Sequence, residues 1–342
     1  MSRITVALHS AESPLCFPPD KGDWETVAPA ELGLNPKKLQ AALDYAGRNR
    51  STGVVILHRG RILAEQHWDP KRVATPKFSQ RSIAKTASGQ AIEDVASVQK
   101  SIVSVLVGIA QEKGLIRISD RVSKHLGKGW SKATQKQENA ITVRHLITMT
   151  SGLTETGKFE APAGRKWRYN TWAYAKSMNL LEKASAMDRH ELTRQWLTEP
   201  LGMKDSQWAP RQSAELQGVN AYGFATSARD LARFGLMMLA NGRWNGTTIL
   251  GDGEYLKTST SSSQKMNAYY GYLWWLNRDP ANPRARRIGS APQDTFSANG
   301  ALNRRCWVVP SLGLVITRLG DQPPARRGFD QEFWRLLKAA KE

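Results

Sequence analysis

Apolar positions along the chain fall into three regimes. Leu39, Ala42, Leu43 and Ala46 recur at helical spacing behind Asn35-Pro36, a start signal, and predict a helix over 34–49. "GVVILHRGRILAEQHW" (53–68) holds two apolar or β-branched runs around Arg59-Gly60 and predicts a hairpin. Residues 69–93 are polar and basic without periodicity and read as a loop or insertion. Helical spacing then dominates, over 97–113, 119–126, 142–150, 171–185, 188–198 and 227–241. From about 266 strand-like runs return in "GYLWWLN", "RCWVVP" and "LGLVITRLG", with Pro310–Gly313 as a turn between the last two. "DQEFWRLLKAAKE" closes the chain as an amphipathic helix.

The order of these regimes implies an α+β fold. The early hairpin and the late strands join one antiparallel sheet, terminal helices flank it, and a mostly helical lobe stands beside it. The expected division is an N-terminal arm over 1–24 and one domain over 25–342. Its α/β lobe takes 25–96 and 250–342, and its helical lobe takes 97–249. A site belongs between the lobes.

Composition changes this picture little. The 342 residues are 40% hydrophobic and 23% charged, ordinary for one large domain or two intimate lobes. The longest uncharged apolar run, Ser101–Ala110, is too short for a membrane span, and the N-terminus lacks a signal-peptide core. A cytoplasmic protein is expected, with Cys16 and Cys306 as reduced thiols. The net charge of +19 raises nucleic acid or an anionic surface as partner. However, the basic residues are dispersed, with clusters only at 284–287, 304–305 and 325–327, so nucleic acid is not expected.

Candidate chemistry begins at Ser97 and Lys100. Residues three apart share a helix face. A serine at a helix start could attack a carbonyl while its own N–H holds the oxyanion. A partly desolvated lysine one turn deeper would have a depressed pKa and could take the serine proton. The Ser-x-x-Lys pattern also occurs at Ser82–Lys85 and Ser262–Lys265, but only Ser97–Lys100 opens a long apolar helix. The alternative is an N-cap serine with a lysine that snorkels to solvent. No G-x-S-x-G, H-E-x-x-H or phosphate-binding glycine loop occurs, and the six histidines are scattered without ligand spacing.

Six segments in order resemble the serine β-lactamase and penicillin-binding-protein superfamily, in its class C β-lactamase-related branch. They are "DVASVQKSIVSVLVGIAQEKGLIRISDRVSKHL" (94–126), "ITVRHLITMTSGL" (141–153), "PAGRKWRYNTWAY" (162–174), "EPLGMKDSQW" (199–208), "GFATSARDLARFGLMMLANGRWNGTTIL" (223–250) and "FSANGALNRRCWVVPSLGLVITRLG" (296–320). That branch also holds esterases, D-amino-peptide hydrolases and 6-aminohexanoate-dimer hydrolases.

The resemblance implies Ser97 as nucleophile, Lys100 as its partner and Tyr169 as the family's Tyr-x-Asn tyrosine, acting as phenolate or proton relay. Ala301 N–H would be the second oxyanion donor, at the end of Ala298-Asn299-Gly300. Two departures stand out. The third position of Tyr-x-Asn is Thr171, with Asn170 displaced to the middle. No Lys-Thr-Gly occupies the late strand, and Arg304 and Arg305 read as an exposed surface pair rather than a substitute cation. Trp172, Tyr270, Trp274 and Trp275 are candidates for an apolar acyl pocket.

The expected function is a serine hydrolase acting through an acyl-enzyme on a small ester or amide, with neither metal nor organic cofactor implied. A β-lactamase or D-amino-peptidase of the same mechanism is the alternative enzyme. A catalytically silent protein that binds through its basic surface is the alternative class. The pattern does not set the oligomeric state.

Overall fold

The computed structural model describes residues 14–69, 83–211, 218–324 and 328–341. Asn35 caps the first helix, Pro36–Arg48, by accepting from the N–H groups of Lys37 and Lys38, with Pro36 pre-set for the first turn. Strands β1 (Ser51–His58) and β2 (Arg61–His67) follow as the predicted hairpin. Its turn uses Arg59 at φ 49° and Gly60 at φ 89°, the left-handed pair that matches strand twist.

Strands β3 (Ala84–Lys85) and β4 (Ala91–Asp94) lead to the helix Gln99–Glu112. The middle of the chain adds helices Val143–Ile147 and Thr171–Ser185, strands β5 (Gln207–Pro210) and β6 (Tyr222–Thr226), and helix Ala228–Leu239. A small hairpin, β7 (Arg243–Trp244) and β8 (Thr247–Thr248), comes next. Then β9 (Trp275–Leu276), β10 (Phe296–Asn299), β11 (Arg305–Val309) and β12 (Leu314–Gly320) precede the closing helix Phe329–Ala339.

The main sheet runs β2-β1-β12-β11-β10-β9, every pair antiparallel, so early hairpin and late strands do share it. Period-two alternation splits the core. Val54 and Ile56 face the terminal helices with Leu39, Leu43, Phe333 and Trp334. Val55 and Leu57 face the other way, toward Ile102, Leu106 and Phe234. The helix Gln99–Glu112 is therefore buried almost all round, from Gln99 to Ala110.

Several expectations need correction. A second sheet, β3-β4-β6-β5, lies within the stretch read as loop and then as mostly helical. Residues 70–82 of that loop, Ser82 of its Ser-x-x-Lys pattern and the basic cluster 325–327 lie outside the described residues. β4 pairs Asp94 with Ala225 and Glu93 with Thr226, which anchors the chain just before Ser97. "GYLWWLN" supplies only the two-residue β9, since Leu273 takes φ 62° and breaks the run. The end of the arm is docked: Cys16 N–H donates to Arg59 O at 2.9 Å, and Phe17 packs edge-on against Trp244.

Candidate active site

Ser97 sits in a 3₁₀ turn, Ala96–Val98, that feeds the helix Gln99–Glu112. Ala96 holds φ 51°, a left-handed conformation that costs an alanine roughly 1–2 kcal/mol. Its N–H donates to Asp94 Oδ1 at 2.8 Å. Arg211 grips the same carboxylate with Nε and Nη2 at 2.8 and 2.9 Å. Burial pushes the Asp94 pKa up, but the Arg211 guanidinium outweighs it and holds the carboxyl below its usual range. The strained turn that presents Ser97 is thus clamped from below.

Lys100 lies one turn deeper, 2% exposed, with Nζ 3.0 Å from Ser97 Oγ. Among the described residues no carboxylate pairs with it. Aromatic faces surround it instead, with Nζ 4.9 Å from the Tyr169 ring centre and 4.6 Å from that of Tyr174. Burial, then the nearby positive Arg211, lower its pKa from 10.5 to about 7. The neutral amine is therefore well populated near neutrality, and its lone pair is beside the serine hydroxyl.

Tyr169 stands at the end of the segment before Thr171–Ser185. Burial raises its pKa to about 12, and a contact with the Ser97 hydroxyl only partly opposes this. Of the two expected roles, phenolate and proton relay, this burial disfavours the first. Asn170 is corrected: it is not aimed at a substrate. Its Oδ1 caps the helix by accepting from Ala173 N–H at 2.9 Å, and its Nδ2 donates to Leu153 O and Thr154 O at 2.7 and 2.9 Å. Thr171 is the first residue of that helix. Trp172 stacks on Trp130 at 6.4 Å with Lys176 Nζ 4.3 Å from its ring centre.

Strand β10 brings the third wall. A Cβ on Gly300 would lie 2.4 Å from Val95 O, so only glycine lets this strand end abut the turn before Ser97. Gly300 N–H is taken by Arg304 O at 2.8 Å, whereas the N–H groups of Ser97 and Ala301 make no turn or cap hydrogen bond among the described residues. Asn299 Oδ1 is buried with no donor among them. Gly300→Ala is expected to lower stability by about 1–3 kcal/mol and kcat/KM by at least tenfold, measured by thermal melts and ester kinetics. Wild-type values for both would show that the approach is looser than drawn.

Arg304 and Arg305 are not an exposed pair. Arg304 is 1% exposed, ion-paired to Glu93 at 2.9 Å, and donates to the carbonyls of Asp94 and Gly320. Arg305 pairs with Asp330 at 3.1 Å and donates to Gly300 O at 2.9 Å. Both hold the loop that carries Ala301.

Of the aromatic candidates, Tyr270 and Trp275 do gather at Tyr169, with ring centres 6.3 and 5.8 Å from it. Trp274 points into the core between Phe234 and Phe296. Sequence reasoning missed Trp167, which completes the cluster 5.5 Å from Tyr270. It also missed Gln99, whose Nε2 donates to Tyr174 Oη at 2.9 Å while its Oε1 accepts from Arg211 and Phe224. The position of Gln99 inside Ser-x-x-Lys was an available signal.

A family model described as Beta-lactamase matches residues 37–341. An uncharacterized protein of Alkalihalophilus pseudofirmus is 27% identical over 325 residues, covering 87% of this chain and 90% of that protein. A beta-lactamase of Escherichia coli K12 is 40% identical over 63 residues, only 18% of this chain and 16% of that one. Among solved structures, a candidate beta-lactamase from Bacteroides dorei superposes with TM-score 0.69 at 15% identity, covering 90% of this chain and 99% of its own. A candidate 6-aminohexanoate-dimer hydrolase from Bacillus anthracis gives 0.69 at 13%, covering 95% and 90%. At such identities these two likenesses concern the fold. The match of the family model across most of the sequence goes further: the chain belongs to the beta-lactamase family.

Proposed function

We propose that the protein is a serine hydrolase that cleaves a small ester or amide through an acyl-enzyme. The observation that carries this reading is the buried Lys100 amine, 3.0 Å from Ser97 Oγ, unpaired with any described carboxylate and titrating near neutrality.

Neutral Lys100 accepts the Ser97 proton as Oγ attacks the substrate carbonyl. The N–H groups of Ser97 and Ala301 receive the oxyanion. Tyr169, a neutral phenol beside Ser97, passes a proton to the leaving group and regains one from Lys100. Water then attacks the acyl carbon, its proton passes through the same pair to Ser97 Oγ as the acyl–Oγ bond breaks, and the acid product leaves with the serine hydroxyl regenerated.

The test is intact-protein mass after a fluorophosphonate probe, on wild type and Ser97→Ala, followed by matched p-nitrophenyl esters and p-nitroanilides. One adduct, absent in Ser97→Ala, with turnover of either series is expected. Folded wild-type protein that takes no label would support a silent binding protein instead.

A further inference from the structure

The terminal helices and the segment 286–292 border an open cavity of about 410 Å³ against the face of the main sheet remote from Ser97. We infer that this cavity is a binding site for a free fatty acid, an inference independent of the catalytic reading. Its apolar wall comes from Leu39, Ile56, Leu63, Ile316, Trp334 and Leu337, on both terminal helices and strands β1, β2 and β12. The volume lies in the range that holds small ligands rather than a single water.

Two features specify an anionic head on a hydrocarbon tail. Arg286, Lys338 and Lys341 stand on the rim, and no Asp or Glu lines the cavity. All three cations are exposed, and none pairs with a carboxylate among the described residues. A carboxylate at the rim would meet the unpaired cations, and the tail would fill the apolar interior.

The experiment is calorimetric titration of the full chain with decanoate, dodecanoate and dodecanol, alongside displacement of a fluorescent fatty acid. Saturable binding of one dodecanoate per chain is expected, about fourfold tighter for each added methylene. Dodecanol should bind at least tenfold more weakly. The surface double variant Arg286→Ala/Lys338→Ala should weaken dodecanoate by at least tenfold while keeping the wild-type melting temperature. Ser97→Ala and fluorophosphonate-labelled protein should bind as wild type does. Absence of binding would overturn the inference, as would affinity indifferent to the rim cations. Binding blocked by labelling at Ser97 would also overturn it, because the ligand would then occupy the catalytic site. Adsorption to phosphatidylglycerol vesicles without saturable dodecanoate binding would assign the basic rim to a lipid surface instead.

Discussion

Lys100→Met is expected to abolish acylation and to stabilise the fold in the same molecule. Methionine keeps the apolar stem and removes the amine, so kcat/KM should fall by about 10³-fold or more, the scale of losing a positioned base that acts with the nucleophile. The stability change follows from linkage. The Lys100 pKa is about 7 when folded against 10.5 when free. Between these values the unfolded chain holds a proton that the folded chain does not, so native stability rises with pH across that window. Below about pH 7 both states are charged and the full burden of burying the ammonium is present. The shift bounds that burden at about 5 kcal/mol. Lys100→Met should therefore melt above wild type at pH 7 and below, with the gap closing as pH approaches 10.5. In the wild type, kcat/KM should fall about tenfold per unit as pH drops below 7, because protonation removes the base. A variant less stable than wild type at pH 6, or an acid limb centred far from 7, would contradict the assignment of Lys100 as the base.

The sequence was informative where one pattern had one physical meaning. Helical spacing behind Asn35-Pro36 and the short apolar, β-branched runs of β1 and β12 marked the sheet and its flanking helices, because burial on a regular element leaves a trace in the residue pattern. The helix behind Ser97 was legible for the same reason, as a lysine heading an apolar run. The sheet β3-β4-β6-β5 was not, since strands of two to five residues are too short to show a period. Trp274 and Trp275 are equal as letters, and only the local backbone decides that one enters the core and the other meets Tyr169. Asn170 looked like a displaced ligand, but its amide is consumed by a helix cap and two loop carbonyls that a linear motif does not display. The misreading of Arg304 has the same origin, for its partner Glu93 lies 211 positions away in sequence.

That distant partnership gives the second large effect. Arg304 and Glu93 are each 1% exposed, and Glu93 also accepts from Thr52 Oγ1 at 2.5 Å and Gly320 N–H at 3.1 Å. Removing only the arginine leaves a buried carboxylate without its cation. Arg304→Met should accordingly cost about 3–5 kcal/mol, a fall in melting temperature on the order of 10 °C. The double variant Glu93→Gln/Arg304→Met should recover much of that loss, since a neutral amide oxygen can still accept from Thr52 or Gly320. Activity should not recover in parallel. Arg304 donates to Asp94 O, and its own carbonyl holds Gly300 N–H, so one residue ties the turn before Ser97 to the loop carrying Ala301. With the guanidinium gone, the two proposed oxyanion donors lose their common brace. At a temperature where the double variant is fully folded, kcat should remain at least tenfold below wild type with KM little changed. Restored stability together with restored kcat would show that Arg304 only balances a buried charge. Restored stability alone would show that the same ion pair also sets the distance between the nucleophile and the strand that faces it.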